Sequence, residues 1–115
     1  MKEKDSFAIL DKLWGTIEER SKNSSPEASY VSSLLSKGIE ECAKKFGEEA
    51  IEVIVASVQK DNRKAVVHEF ADVLFHLLVL LKSNKIDPSF IIEELQSREK
   101  NSGLQEKRSR KKIYE

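Results

Sequence analysis

Residues that bend or crosslink a chain are scarce here: four glycines, two prolines and one cysteine in 115 residues. A single cysteine, Cys42, forms no internal disulfide and builds no multi-cysteine zinc site, so a reduced, cytoplasmic setting is expected. No glycine-rich loop occurs, which excludes the phosphate cradles of P-loop and dinucleotide-binding folds. Nowhere does the chain alternate apolar and polar residues with the period of a strand. The N-terminal MKEKDSFAIL has no apolar stretch of signal-peptide length. The apolar run 73–81 lies in a window interrupted by Glu69, Asp72 and His76, which argues against a membrane span. Net charge is zero but unevenly spread, since residues 98–115 carry seven Lys/Arg against three Glu. The remaining, acidic body is not expected to attract nucleic acid, and the basic tail reads as a solvated segment able to reach an anionic ligand.

Helical signals are abundant. Phe7, Leu10, Leu13, Trp14 and Ile17 recur at helical spacing and predict a first helix over 7–19, capped by Asp5 or Ser6. A polar connection containing Pro26 follows. Ser29 is placed to cap a short helix over 30–36, ended by Gly38. Two long helices are expected over 39–59 and 63–83, the second capped by Asp61 or Asn62. Gly47 costs the first of them about 1 kcal/mol relative to alanine, which suggests close approach of another helix or a ligand. Asp87-Pro88 pairs a cap with proline at the first helical position, opening a helix that runs to about residue 98. The expected fold is therefore all-α, a bundle of about five helices with the two long ones as a central antiparallel hairpin. One domain spans 1–100, and 101–115 form the basic tail.

Within the long helices, Phe46, Ala50, Val53 and Ile54 form one face, but Ile51 and Val55 lie off it. The second long helix is apolar almost all round, a pattern that asks for burial on every side. A chain of this length has too few helices to cover both, so a homodimer or higher homo-oligomer is expected. Trp14, Phe7 and Cys42 are assigned to the core.

Acidic residues sit inside these apolar stretches: Glu49-x-x-Glu52 in the first long helix and Glu69-x-x-Asp72 in the second, with Glu48 beside them. Desolvating a lone carboxylate costs several kcal/mol, so such acids need a shared cation or basic partners. On a helical wheel Lys45, Glu48, Glu49 and Glu52 share one side within roughly 100°, and Glu69, Asp72 and His76 fall within roughly 80° of one another. An antiparallel hairpin brings the two acidic sides together, with Glu52 and Glu69 at comparable heights above the turn. Oxygen-rich ligation suits Mg²⁺, which keeps several waters and works with phosphate-bearing substrates, and Mn²⁺ is a possible substitute. A zinc site is disfavoured, since the two histidines stand eight residues apart. The competing reading pairs the acids with Lys and Arg at a dimer interface. His76 is read as a partner of a ligand or a satisfied core histidine, and His68 as an interface or surface residue. Lys45 either meets a phosphate or pairs with Glu48 or Glu49.

Three runs carry a family resemblance: Ser29-Tyr30 to Lys37-Gly38, then Lys44-Lys45-Phe46-Gly47-Glu48-Glu49-Ala50-Ile51-Glu52, then Glu69-Phe70-Ala71-Asp72 through His76. The chain resembles the phosphoribosyl-ATP pyrophosphohydrolases, within the all-α NTP pyrophosphatase (MazG-type) superfamily. The superfamily's double acidic motif is matched by Glu48, Glu49, Glu52, Glu69 and Asp72. The likeness extends over about residues 7–110 and looks like the free-standing form, without a fused cyclohydrolase. It departs in a more acidic Ile39-Glu40-Glu41 and a more basic end over 109–115.

The resemblance implies Mg²⁺-dependent hydrolysis of phosphoribosyl-ATP to phosphoribosyl-AMP and pyrophosphate, the second step of histidine biosynthesis. It implies metal ligation by Glu49, Glu52, Glu69 and Asp72. Water is positioned or deprotonated by Glu48, with Glu49 able to exchange roles. Lys37 and Lys45 are expected on phosphates. Two alternatives are a MazG-type pyrophosphatase acting on other (d)NTPs and a non-catalytic helical dimerisation module.

Overall fold

The computed structural model describes residues 7–59, 61–100 and 107–108. Among the described residues the helices are α1 (Ala8–Asn23), α2 (Tyr30–Ser36), α3 (Ile39–Gln59), α4 (Arg63–Ser83) and α5 (Pro88–Glu99). No strand occurs among the described residues. Helices α1 to α4 belong to one compact unit and α5 to a second. None of the described helices is long and apolar enough to cross a membrane.

Short polar side chains set most boundaries. The Ser29 hydroxyl accepts from the Ser32 amide at 3.3 Å, and the Asn62 side chain accepts from the Ala65 amide at 3.1 Å, each satisfying an orphan donor of a first helical turn. At α5 the Asp87 carboxylate accepts from the Ser89 amide at 2.9 Å, with Pro88 in the first turn. Gly38 has φ +92°. Its amide donates to the Leu35 carbonyl at 3.2 Å, and its own carbonyl accepts from the Cys42 amide at 3.1 Å. One left-handed residue thus closes α2 and opens α3.

Helix α1 differs from expectation at both ends. Asp5 and Ser6, the expected caps, lie outside the described residues, and Phe7 occupies the N-cap with no side-chain hydrogen bond. At the other end α1 continues four residues past Glu19 to Asn23. Tertiary hydrogen bonds favour the extension: the Ser32 hydroxyl reaches the Arg20 carbonyl at 2.6 Å and the Ser24 carbonyl at 2.8 Å. A polar tail without apolar periodicity is thereby held helical by a neighbouring element.

The core is small. Ile17, Val31, Leu34, Cys42 and Val79 are buried, with Leu13, Leu35, Phe75, Leu78 and Leu80 packed against them. Cys42 lies in this core as expected, its Sγ 3.3 Å from the Leu34 carbonyl. Lys82 of α4 stands 5.8 Å over the Trp14 ring and 3.8 Å from Glu18, tying α4 to α1. Phe7, assigned to the core from its spacing, is instead 74% exposed at the start of α1.

The hairpin of α3 and α4 provides the most extensive packing between helices. Its apolar faces are only half used. Phe46, Ala50 and Val53 are partly covered, whereas Ile54, expected on their face, is 61% exposed with Ile51, Val55 and Val58. On α4, Val67, Phe70, Leu74 and Leu77 are exposed as well. Gly47 has open space around it, so no helix among the described residues makes the close approach suggested by its position.

Candidate active site

Helices α3 and α4 present the acids, and the helical period decides their exposure. Glu48 and Glu52 are exposed, while Glu49, Glu69 and Asp72 are half-buried. None is buried in the single chain, so these carboxylates stay partly hydrated there and desolvation alone does not require a cation. The reason is that the neighbouring apolar residues on α3 and α4 are themselves largely uncovered.

Glu49 is the centre of one polar cluster. Lys45, one turn earlier, places Nζ 3.7 Å from Glu49 Oε1, and His76 of α4 places Nε2 4.0 Å from the same oxygen. His76 is buried, and this burial lowers its pKa; Glu49 and Asp72 pull it upward and Lys45 pushes it down. The neutral imidazole is therefore favoured, and the contact with Glu49 is polar rather than a full ion pair. His76, on α4, is thus the side chain of that helix that faces Glu49 of α3.

A second cluster sits on α4. His68, Glu69 and Asp72 each offer a ligand atom, all within 4.8 Å of one another, and His68 Nε2 lies 3.4 Å from Asp72 Oδ2. Expected as an interface or surface residue, His68 is 72% exposed, yet its side chain turns onto Asp72 one helical turn ahead. The i,i+4 spacing was the available signal. Glu49 and Glu52 stand outside this group. Lys37 is exposed at the C-cap of α2.

Aromatic rings border the Glu49 cluster. The Tyr30 and Phe75 rings lie 6.0 Å apart and nearly parallel, at 14°. His76 meets Tyr30 edge-on at 6.0 Å and Phe75 at 5.1 Å. These contacts fix the imidazole plane that addresses Glu49.

Half-buried Glu69 and Asp72, with exposed His68 beside them, form a small donor set open to water on α4, which fits a divalent cation that retains part of its hydration. Comparison with known proteins narrows the chemistry. Residues 10–99 match the family described as phosphoribosyl-ATP pyrophosphohydrolase, a stretch containing Glu48, Glu49, Glu52, Glu69 and Asp72. The chain belongs to the phosphoribosyl-ATP pyrophosphohydrolase family. Similar family members include the phosphoribosyl-ATP pyrophosphatase of Roseobacter denitrificans, 48% identical over 101 residues, covering 88% of this chain and 94% of the relative. Phosphoribosyl-ATP pyrophosphatase 1 of Rhodopseudomonas palustris is 48% identical over 106 residues, with 92% and 96% covered. That of Dinoroseobacter shibae is 45% identical over 104 residues, spanning 90% of this chain and all of the relative. Such coverage places α1 to α5 within the phosphoribosyl-ATP pyrophosphohydrolase match, as residues 10–99 extend from the first turns of α1 to the end of α5.

Proposed function

We propose that this chain hydrolyses phosphoribosyl-ATP to phosphoribosyl-AMP and pyrophosphate, the second step of histidine biosynthesis, in the cytoplasm. Family membership across residues 10–99 carries this reading. Glu49, Glu52, Glu69 and Asp72 hold Mg²⁺, with Mn²⁺ as a substitute. When bound, the cation neutralises triphosphate oxygens and stabilises the charge that develops as the anhydride bond breaks.

The remaining chemistry belongs to the side chains. Glu48 or Glu49 orients a water and takes its proton as the water oxygen bonds to phosphorus at the α–β linkage. The bridging P–O bond breaks and pyrophosphate leaves. Lys45, which lies beside Glu49, meets a phosphate oxygen, and Lys37 supplies a second cation. His76, buried edge-on to Tyr30 and Phe75, faces Glu49 at 4.0 Å while its neutral form adds no competing positive charge.

The functional unit of this proposal is a homodimer. Support comes from the uncovered apolar residues along both arms of the hairpin. A patch of that composition is unusual on a stable monomer, and a second copy supplies equivalent apolar helices to cover it.

Pyrophosphate release from phosphoribosyl-ATP, measured beside a panel of NTPs and dNTPs, tests the activity. Turnover of phosphoribosyl-ATP that requires Mg²⁺ and exceeds turnover of the panel is expected; equal or faster hydrolysis of ordinary dNTPs would point to a different pyrophosphatase. Asp72→Asn is expected to keep its helical content and assembly while losing at least about a hundred-fold in kcat. If Asp72→Asn instead dissociates the assembly with activity retained per folded chain, the acids serve an interface.

A further inference from the structure

Tyr30 opens α2 and keeps 54% of its surface exposed, yet its setting is firmly built. Ser29 next to it is buried and caps α2. The Ser32 hydroxyl, one turn on, is bound to two carbonyls at the end of α1. These bonds pin the first turn of α2, and Tyr30 with it. Phe75 stacks against the tyrosine ring, and His76 meets it edge-on. The same His76 approaches Glu49 at 4.0 Å. A fixed aromatic ring with open surface therefore lies one imidazole away from a carboxylate of the acidic site.

Single exposed apolar residues are ordinary on protein surfaces, so exposure alone assigns nothing to Tyr30. Its combination of features does. The ring belongs to α2 and rests on Phe75 of α4. It is already ordered by Phe75 and by the helix start, so stacking a ligand on it sacrifices little further side-chain freedom. Beyond His76, toward the site, stand Glu49 and Lys45, groups suited to a cation and to phosphates and offering no flat surface. A nucleotide needs both kinds of surface, with one sugar between them.

We propose that Tyr30, backed by Phe75, is the platform on which the purine base of the nucleotide stacks while its phosphates lie against the acidic site. This rests on the nucleotide pyrophosphohydrolase reading of that site. Stacking on an aromatic side chain is tolerant of base substituents, because every base offers a π-face. Such a platform accommodates an adenine that carries a second ribosyl phosphate.

The test compares wild type with Tyr30→Phe, Tyr30→Leu and Tyr30→Ala as full chains, with thermal melts to establish folding. Pyrophosphate release from phosphoribosyl-ATP is measured together with inhibition by inorganic tripolyphosphate, which has no base. Tyr30→Ala is expected to raise KM by about ten-fold or more, with kcat changed by no more than about two-fold. Its tripolyphosphate inhibition should be unchanged, and Tyr30→Phe should match wild type. Tyr30→Leu retains apolar bulk without a ring face and should resemble Tyr30→Ala, which keeps the test informative if the alanine variant fails to fold. A fall in kcat at constant KM overturns the platform, because Tyr30 then acts through His76 on Glu49. Equal weakening of substrate and tripolyphosphate also overturns it. If wild type releases no pyrophosphate from phosphoribosyl-ATP, the proposed function fails by itself. Tyr30 is then judged by calorimetric titration of ATP against tripolyphosphate. A loss in Tyr30→Leu confined to ATP supports the platform; equal losses, or no wild-type preference for ATP, overturn it.

Discussion

His76 is the residue at which packing and chemistry meet. Its burial disfavours the imidazolium more than Glu49 and Asp72 favour it, so its pKa lies below the ordinary 6.5. In the unfolded chain the same group titrates near that ordinary value. Above it, both states hold a neutral ring and this residue contributes no pH dependence to stability. As pH falls through 6.5 the unfolded chain takes up a proton first, so stability is lost until the folded ring protonates too. Thermal melts of chelator-treated protein should therefore fall in midpoint as pH drops from 7.5 to about 5.5. His76→Gln should flatten that dependence over the same interval. An equally steep profile in the variant would place the titration elsewhere.

Among the elements, the α2–α3 junction has the least tolerance. Gly38 adopts φ +92° while its backbone both ends one helix and begins the next. A side chain meets open space there, so the penalty of substitution is conformational rather than steric. Gly38→Ala should cost about 1–2 kcal/mol, the expense of a left-handed backbone for a residue with Cβ. For a domain of this size that lowers the melting midpoint by roughly 4–16 °C. Differential scanning calorimetry checks it, and an unchanged midpoint would mean that α2 and α3 can be joined another way. The same junction holds Tyr30 and Lys37 at opposite ends of a helix only seven residues long, so slack there should reach the site.

For the whole molecule, the decisive feature is the contrast between a five-residue buried core and a long apolar hairpin face left open. A small chain buries a smaller share of its surface than a large one and is correspondingly marginal alone. Covering Ile51, Ile54, Val58, Phe70 and Leu74 with a second copy removes that deficit. Wild type is expected to sediment as a dimer at micromolar concentration. Ile54→Glu should shift it toward monomer and lower its melting midpoint by several degrees, the effect of about 1 kcal/mol or more. A folded wild-type monomer at that concentration would refute the dimer.

Helix number, type and most of their ends were legible in the order of residues. Ser29, Asn62 and Asp87-Pro88 act as caps within a few residues of themselves, and the apolar period of α3 and α4 is a local property of each stretch. Local order likewise put Glu48, Glu49 and Glu52 on one helix and Glu69, Asp72 and His76 on the next. Tertiary structure decided the remainder. The last turn of α1 depends on a serine from α2, the Tyr30–Phe75–His76 cluster joins residues far apart in sequence, and the turn of His68 onto Asp72 is a choice of rotamer. Ile54 shows the limit most plainly: its apolar character is encoded in the chain, but whether it faces protein or water is settled by what packs against it. Sequence thus determined which residues lie on a common helix, because the helical period is local. Only the fold decided which helices share a face, because that depends on contacts made across long chain separations.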